Sequence, residues 1–194
     1  MQLEIFSDTV CPWCYIGKRR LERALRMRPQ PGLTLRWRAF QLNPGLPPGG
    51  MDRRQYMGAK FGSLDRAQRL YDAVARVGAQ EGIKFDFERI ARTPNTLRSH
   101  RLLYAAAEEG RQSDLLDLIF AAYFTQGLDI GDADVLSALA FEAGMSAAEV
   151  LAADAWEEPR ARKAATEALR RHLLARDSDA LTMHPLLRTF ARSK

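Results

Sequence analysis

The stretch that decides the fold is Ser7-Asp8-Thr9-Val10-Cys11-Pro12-Trp13-Cys14, which holds both cysteines of the 194-residue chain. Residues 3–6, directly before the cysteines' turn, form a short β-prone run that predicts a strand. Residues 13–27, after it, repeat apolar side chains with a period of about 3.6 residues and stop before Pro29, which predicts a helix. Both cysteines therefore lie where a strand leads into the first turn of a helix.

This position makes reactive thiols the main interpretation of the two cysteines. Amide N–H groups at a helix start are unpaired and the helix dipole is positive there, so we expect the pKa of Cys11 to lie below that of free cysteine. Cys14 follows one turn later, close enough to form a disulfide, and we expect its sulfur to be the more covered of the two. Pro12 fits the first helical turn, where its missing N–H costs nothing, and Trp13 is expected to flank the sulfur. We therefore predict Cys11 as the nucleophile and Cys14 as the resolving thiol of thiol–disulfide exchange.

Beyond this helix the sequence predicts a second strand and then a loop. Residues 33–40 alternate apolar and polar side chains for most of their length, as a half-buried strand does. The order strand, helix, strand predicts a βαβ unit with parallel strands. Residues 43–50 include six Pro or Gly, which predicts a loop and a boundary near residue 50.

From residue 52 to about residue 176 nearly every segment has a helical pattern. The apolar stripes are Leu64, Ala67, Leu70, Tyr71, Val74 and Val77 in one helix, and Leu115, Ile119, Ala122 and Tyr123 in another. The predicted N-caps are Ser113 and Asp132, the predicted C-terminal stops are Gly110 and Gly144, and residues 146–149 form a capping box. We predict three parts: an N-terminal βαβ part at 1–50, a helical subdomain at 51–176 and an atypical C-terminal segment at 177–194.

Composition and charge exclude several classes of protein. Two cysteines are too few for a disulfide-rich scaffold. The sequence has no long, uncharged apolar run of the kind that predicts a membrane-spanning helix. The formal charge of +5 comes from basic residues interspersed with acids along predicted helices, so we predict no nucleic-acid partner. Residues 1–8 lack the basic start of a secretory signal, and we predict a cytoplasmic protein with no membrane association.

Other uses of a C-x-x-C pair remain open at this point. A closed zinc site needs four ligands, and the remaining candidates His100, His172 and His184 have no recognised spacing, so no metal is predicted. Two buried inert thiols are the plainest alternative. A cysteine hydrolase would need a base such as His100 beside Cys11.

The motif and its surroundings also resemble a known family. Phe6-Ser-Asp-Thr-Val-Cys11-Pro-Trp-Cys14-Tyr-Ile-Gly-Lys18 resembles the opening of the DsbA-like thioredoxin-fold family, in particular its cytosolic branch of predicted dithiol-disulfide isomerases linked to polyketide biosynthesis. Further shared landmarks are Trp37-Arg-Ala-Phe-Gln-Leu-Asn-Pro44, Lys60-Phe-Gly62, Asn95-Thr96 with Ser99-His100-Arg101-Leu102, and Ala121-Ala-Tyr-Phe124 followed by Asp129-Ile130. The resemblance implies an α/β thioredoxin-like fold with a large α-helical insertion.

The resemblance also points to residues outside the cysteine motif. Such proteins place a cis-proline turn opposite the cysteines and then add closing strands, and Pro185 is the candidate for that proline. We expect the closing strands to be missing or atypical here. Asn95 and His100 recur in related glutathione-dependent isomerases and kappa-class transferases, so they are candidates to face the site. Their local alternative is that Asn95 caps a helix beginning near Leu97 and His100 packs one turn later.

We therefore predict a protein-disulfide oxidoreductase or isomerase. The resemblance implies no cofactor beyond a Cys11–Cys14 disulfide, with glutathione or a thioredoxin system as electron partner. The substrate would be a protein or a small molecule that carries a thiol or a disulfide, and a homodimer is the assembly to consider. Two alternatives are a glutathione-dependent isomerase or transferase of the 2-hydroxychromene-2-carboxylate isomerase type and a redox-silent binding protein.

Overall fold

The cysteine motif joins a strand to a helix in the computed structural model, which describes residues 1–146. Strand β1 (Gln2–Ser7) precedes the motif, and helix α1 (Pro12–Met27) begins inside it. Strand β2 (Thr34–Ala39) pairs with β1 in parallel along its whole length. A parallel pair needs a long crossover, which α1 supplies. The predicted strand, helix and strand are therefore confirmed.

The middle of the chain is mainly helical, as predicted, over the residues that the structure describes. The helices are α2 (Arg53–Phe61), α3 (Leu64–Ala79), α4 (Leu97–Glu108), α5 (Gln112–Gln126) and α6 (Ala133–Glu142), with a short 3₁₀ turn at Phe87–Arg89. The predicted division of the chain into three parts stays a prediction, and residues 177–194 lie outside the described range.

A two-stranded pair interrupts the helical region, and the sequence did not predict it. Strand β3 (Met51–Asp52) pairs antiparallel with strand β4 (Arg92–Thr93). Gly50 enters β3 with a φ of 69°, and a Cβ there would lie 2.6 Å from the carbonyl oxygen of Thr93. Only glycine fits this backbone conformation and this close approach. Strands of two residues have no detectable periodicity, which is why the pattern missed them.

Most of the predicted helix boundaries are confirmed. Asp132 caps α6, since its carboxylate accepts the N–H groups of Asp134 and Val135 at 2.8 and 3.2 Å. Gly110 and Gly144 have φ values of 70° and 81° just past the ends of α4 and α6, where helices commonly stop. The capping box at residues 146–149 extends beyond the described residues.

The predicted cap at Ser113 is wrong. Helix α5 begins at Gln112 with Arg111 as its N-cap residue, two residues earlier than a cap at Ser113 implies. The Ser113 hydroxyl instead accepts the indole N–H of Trp37 at 3.0 Å. A tertiary contact has therefore replaced the local capping bond that this residue type favours.

Helix α5 lies at the centre of the core and carries the docking surface for α1. Its residues that are almost completely buried are Leu115, Leu116, Ile119, Phe120, Ala122, Tyr123 and Phe124. Tyr15, next to Cys14 on α1, stacks on Phe120 with ring centroids 5.0 Å apart. Lys18, one turn further along α1, has a fully buried side chain that forms ion pairs with Glu22 and with Asp117 of α5. Aromatic packing and buried charge thus fix the cysteine-bearing helix on α5.

The side chain of Gln112, at the start of α5, ties the sheet to the helices. Its Oε1 accepts the backbone N–H of Trp37 at 2.9 Å, and its Nε2 donates to the backbone carbonyls of Trp37 and Leu103 at 2.9 and 3.1 Å. One buried amide therefore satisfies backbone groups of β2 and of α4.

None of the helices within residues 1–146 is both long enough and apolar enough to cross a membrane.

Replacing Gln112 with alanine is expected to destabilise the fold by about 1–3 kcal/mol, because buried backbone groups of β2 would lose their hydrogen-bond partner. Urea unfolding followed by circular dichroism measures this free energy. Gln68→Ala is the matched control, since Gln68 is exposed and bonds only to Asp72 on the same helix. Equal midpoints for the two variants would contradict the role given to Gln112.

Candidate active site

The cysteine motif is a tight turn that ends in the first turn of α1. The N–H of Cys11 donates to the carbonyl of Asp8 at 3.0 Å, and the N–H of Cys14 donates to the carbonyl of Cys11 at 3.0 Å. Cys11 is the N-cap residue of α1, with extended backbone angles, and Pro12 occupies the first helical position as predicted. The turn therefore places both cysteines at the start of α1, shortly after the end of β1.

The two cysteines are free thiols that share one hydrogen bond. The pKa of Cys14 is lowered, first because the Cys11 thiol donates to its sulfur, and further by the N–H of Asp8 and the hydroxyl of Ser7. The pKa of Cys11 is raised, first because its proton is held in the hydrogen bond to Cys14, and further by burial; the N–H of Cys14 acts in the opposite direction. The two sulfurs therefore influence each other, and the first deprotonation of the pair is easier than the second.

One detail predicted from the sequence is wrong. Cys11 was expected to have the lowered pKa, whereas the pKa of Cys11 is raised and that of Cys14 is lowered. As whole residues, Cys11 is 4% exposed and Cys14 is half-buried, but the sulfur atoms of both are almost completely enclosed. The helix start stabilises a negative charge on either sulfur, but the prediction took no account of the second sulfur as a hydrogen-bond acceptor or of the burial of Cys11.

Asp8 is a buried carboxylate directly behind the cysteines, and sequence reasoning missed it. It is 1% exposed; its Oδ2 accepts the N–H of Leu42 at 2.7 Å, and its Oδ1 lies 3.2 Å from Nε2 of His100. Its negative charge raises the pKa of both Cys11 and Cys14. The available signal was an acidic residue between a predicted strand and a C-x-x-C pair, where an apolar or capping residue would be ordinary.

His100 lies beside the motif rather than simply packing within its own helix. It is in the first turn of α4 and 7% exposed, and its ring contacts Asp8, three residues before Cys11. Ser99 binds the same turn, since its hydroxyl lies 2.8 Å from that of Thr9. The start of α4 therefore supports the cysteine turn from behind.

Asn95 has the local capping role considered above. Its Oδ1 accepts the N–H of Leu97 at 3.0 Å at the start of α4. Its Nδ2 donates to the carbonyl of Leu46 at 2.7 Å, and the side chain of Gln41 donates to its Oδ1 at 3.2 Å. Asn95 therefore joins α4 to the loop that follows β2.

The remaining predicted site residues have different outcomes. Trp13 is half-buried and packs against the hydrophobic core. Pro185, like His172 and His184, lies outside the described residues. Within residues 1–146 there is no group of three or more His, Cys, Asp or Glu side chains that could hold a metal ion.

A buried arginine near the motif also escaped the sequence analysis. Arg53, the first residue of α2, is 8% exposed, and its guanidinium lies over the ring of Tyr71 at 4.9 Å. Burial of its hydroxyl raises the pKa of Tyr71, and Cys11 raises it further, whereas Arg53 lowers it. Tyr56, one turn after Arg53, has its pKa raised to about 12, mainly by burial, and its hydroxyl lies 3.1 Å from Oδ1 of Asn43. No sequence pattern marks these residues, because they meet only through tertiary packing.

Asp8→Asn is expected to lower the pKa of both thiols. Asparagine keeps an oxygen for the N–H of Leu42 but removes the negative charge, so each thiolate becomes easier to form. The rate of iodoacetamide alkylation, measured against pH, should have a midpoint about one pH unit lower than in the wild type. Asp65→Asn, on the exposed face of α3, should leave the midpoint in place. A midpoint that stays fixed or rises in Asp8→Asn would contradict this electrostatic role.

Cys11→Ala is expected to raise the pKa of Cys14, because it removes the thiol that donates to the Cys14 sulfur. Cys11→Ser keeps a donor at the same position and should give an intermediate value. Thiolate absorbance in the ultraviolet, titrated with pH, measures both variants. If the pKa of Cys14 were the same in the wild type and in Cys11→Ala, the shared hydrogen bond would not be its cause.

Solved structures of other proteins share this fold. A probable DsbA oxidoreductase from Streptomyces coelicolor is 34% identical, with a TM-score of 0.76, and the alignment covers 88% of this chain and 76% of that one. The cytosolic disulfide reductase DsbM from Pseudomonas aeruginosa, solved with GSH, is 23% identical, with a TM-score of 0.63 and coverage of 91% and 82%. A 2-hydroxychromene-2-carboxylate isomerase is 16% identical, with a TM-score of 0.65 and coverage of 89% and 81%. The last two likenesses are evidence of the fold alone.

A family-level match covers most of the chain. The sequence model of the family of DSBA-like thioredoxin domains matches residues 2–173. Together with the βαβ opening and the helical middle, this match confirms the predicted thioredoxin-like α/β fold. The chain therefore belongs to the family of DSBA-like thioredoxin domains.

Proposed function

We propose that this protein catalyses thiol–disulfide exchange, as an oxidoreductase or isomerase, through Cys11 and Cys14. The observation that carries the proposal is the pair of free thiols at the start of α1, with Cys11 as the N-cap residue and the N–H of Cys14 bonded to the carbonyl of Cys11. A thiol pair of this kind combines a thiolate that can attack a disulfide with a neighbour that can resolve the product. Membership of the DSBA-like family supports the same reaction class.

In the first step, Cys11 attacks a substrate disulfide. Cys14, which has the lower pKa, first releases its proton to water; its thiolate then takes the proton of Cys11, and the N–H of Cys14 stabilises the resulting Cys11 thiolate. This thiolate forms a bond to one substrate sulfur while the substrate S–S bond breaks. The other substrate sulfur leaves as a thiolate and takes up a proton from water.

In the second step, Cys14 completes the exchange. It loses its proton to water, attacks the Cys11 sulfur of the mixed disulfide, and releases the second substrate thiol. The dithiol has then lost two electrons and two protons, which the substrate disulfide has gained, and the protein carries a Cys11–Cys14 disulfide. The negative charge of Asp8 raises the pKa of Cys14. The Cys14 thiolate is therefore less stable and attacks the mixed disulfide more readily.

The electron partner that fits this scheme is a cellular thiol. Two molecules of a low-molecular-weight thiol such as glutathione, or one thioredoxin-type dithiol, would return the pair to its reduced form without a resident cofactor. The related disulfide reductase from Pseudomonas was solved with GSH and is described as cytosolic, which supports a glutathione partner and a cytoplasmic location for this protein. The substrate would be a disulfide in a protein or in a small molecule.

Trapping of the mixed disulfide tests the two roles. Cys14→Ser is expected to accumulate a glutathione adduct on Cys11, because the resolving thiol is absent, and to lose nearly all reduction of insulin by glutathione. Cys11→Ser is expected to form no stable adduct. Mass spectrometry of the intact protein after incubation with glutathione disulfide measures both adducts, and an adduct found only on Cys14 would reverse the assignment.

The same variants, assayed also for isomerase activity, distinguish the alternative functions. A glutathione-dependent isomerase would keep its activity on a chromene-type substrate in Cys14→Ser and would not reduce insulin. A redox-silent binding protein would form neither the adduct nor the internal disulfide in a glutathione buffer. Either result would overturn the proposal.

A further inference from the structure

Arg53 carries a positive charge that has no acidic partner in the part of the chain that the structure describes. Its Nη1 donates to the hydroxyls of Thr93 at 3.2 Å and Tyr123 at 3.3 Å, and its guanidinium rests on the ring of Tyr71. All of these partners are neutral. None of the ion pairs found within residues 1–146 includes Arg53.

A buried charge without a counter-ion is unfavourable, and proteins normally pair such groups. Lys18 follows that rule in the same fold, since its buried amine has two carboxylate partners. Arg53, only 8% exposed, has no such partner within residues 1–146. A guanidinium is also planar and presents donors in a fork that matches a carboxylate. The arrangement therefore favours an anion that does not belong to residues 1–146.

Residues close to Arg53 in the chain contact the segments that hold the cysteine turn. Tyr56, three residues later and so on the same side of α2, bonds to Asn43, and the neighbouring Leu42 donates its N–H to Asp8. On the other side, Thr93 lies in β4, shortly before Asn95 and the start of α4, which carries His100 against Asp8. The first turn of α2 therefore contacts the loop after β2, which Asp8 also holds, and strand β4, which precedes α4.

We propose that Arg53 binds a carboxylate of the substrate, so that the protein selects low-molecular-weight disulfides or thiols that carry carboxylates over neutral ones. This inference rests on the proposed thiol–disulfide exchange and names the substrate class of that site. The neutral hydroxyls of Thr93 and Tyr123 orient the guanidinium, and the ring of Tyr71 supports it from one face. The substrate anion supplies the negative charge that residues 1–146 do not place beside the guanidinium.

Two disulfides of nearly equal shape test this selectivity. Dithiodiglycolate is a dianion, and its diamide is neutral. We expect kcat/KM of the wild type to be about 10- to 100-fold higher for dithiodiglycolate, as expected for a charge-assisted hydrogen bond. In Arg53→Met this ratio should fall towards one, and Arg53→Lys should retain part of it, as a point charge without the fork.

The matched control is Arg54→Met, since Arg54 is the exposed neighbour on α2 and should leave the ratio unchanged. A general folding defect would lower both rates together and leave the ratio in place, and circular dichroism checks folding directly. A wild-type ratio near one, or an unchanged ratio in Arg53→Met, would overturn the inference.

Direct binding separates this inference from the proposed function. Calorimetry with dithiodiglycolate and its diamide should give tighter binding of the dianion by the wild type and not by Arg53→Met, even if no exchange occurs. If both disulfides are reduced equally well and bind equally well, thiol–disulfide exchange stands and the carboxylate site fails. If neither is reduced but the dianion binds through Arg53, exchange fails and the anion site stands.

Discussion

The buried side chain of Asp8 is the constraint on which the cysteine site depends. One carboxylate oxygen holds the loop after β2 through Leu42, and the other holds α4 through His100, while the backbone of Asp8 contacts Cys11 and Cys14. Strand, loop, helix and motif therefore meet at one residue. Because the carboxylate is almost inaccessible to water, its hydrogen bonds have few competitors, and the motif cannot shift without breaking several of them at once.

Opposing electrostatic effects act on the thiolates of the site. Helix amides, the Ser7 hydroxyl and the sulfur–sulfur hydrogen bond favour a thiolate, whereas burial and Asp8 disfavour it. If only the stabilising groups acted, the thiolate would be a good leaving group but a poor nucleophile, since the nucleophilicity of a thiolate falls as its pKa falls. The opposing charge behind the pair fits a reaction in which each sulfur must attack in one step and leave in another.

The sequence predicted the features that depend on local pattern and missed those that depend on packing. The period of β2 and α1 and the place of Cys11 at a helix start were readable, because backbone geometry and side-chain spacing are local. The proton distribution between the cysteines was not readable, since it depends on burial and on distances across the turn. Asp8 and Arg53 were missed for the same reason: a lone acid or arginine has no pattern until the chain brings its partners together.

The short pair of β3 and β4 limits how the chain can change in length. Gly50 fits closely against Thr93, and the N–H of Arg53 donates to the carbonyl of Ala91 at 2.9 Å. A residue inserted earlier, among the prolines and glycines of 43–49, could be absorbed by the loop. A residue inserted between Gly50 and Arg53 would shift the register of β3 against β4, displace the start of α2 by about 3.3 Å, and carry the guanidinium away from Tyr71. Natural variation in length should therefore collect on the loop and stop at Gly50.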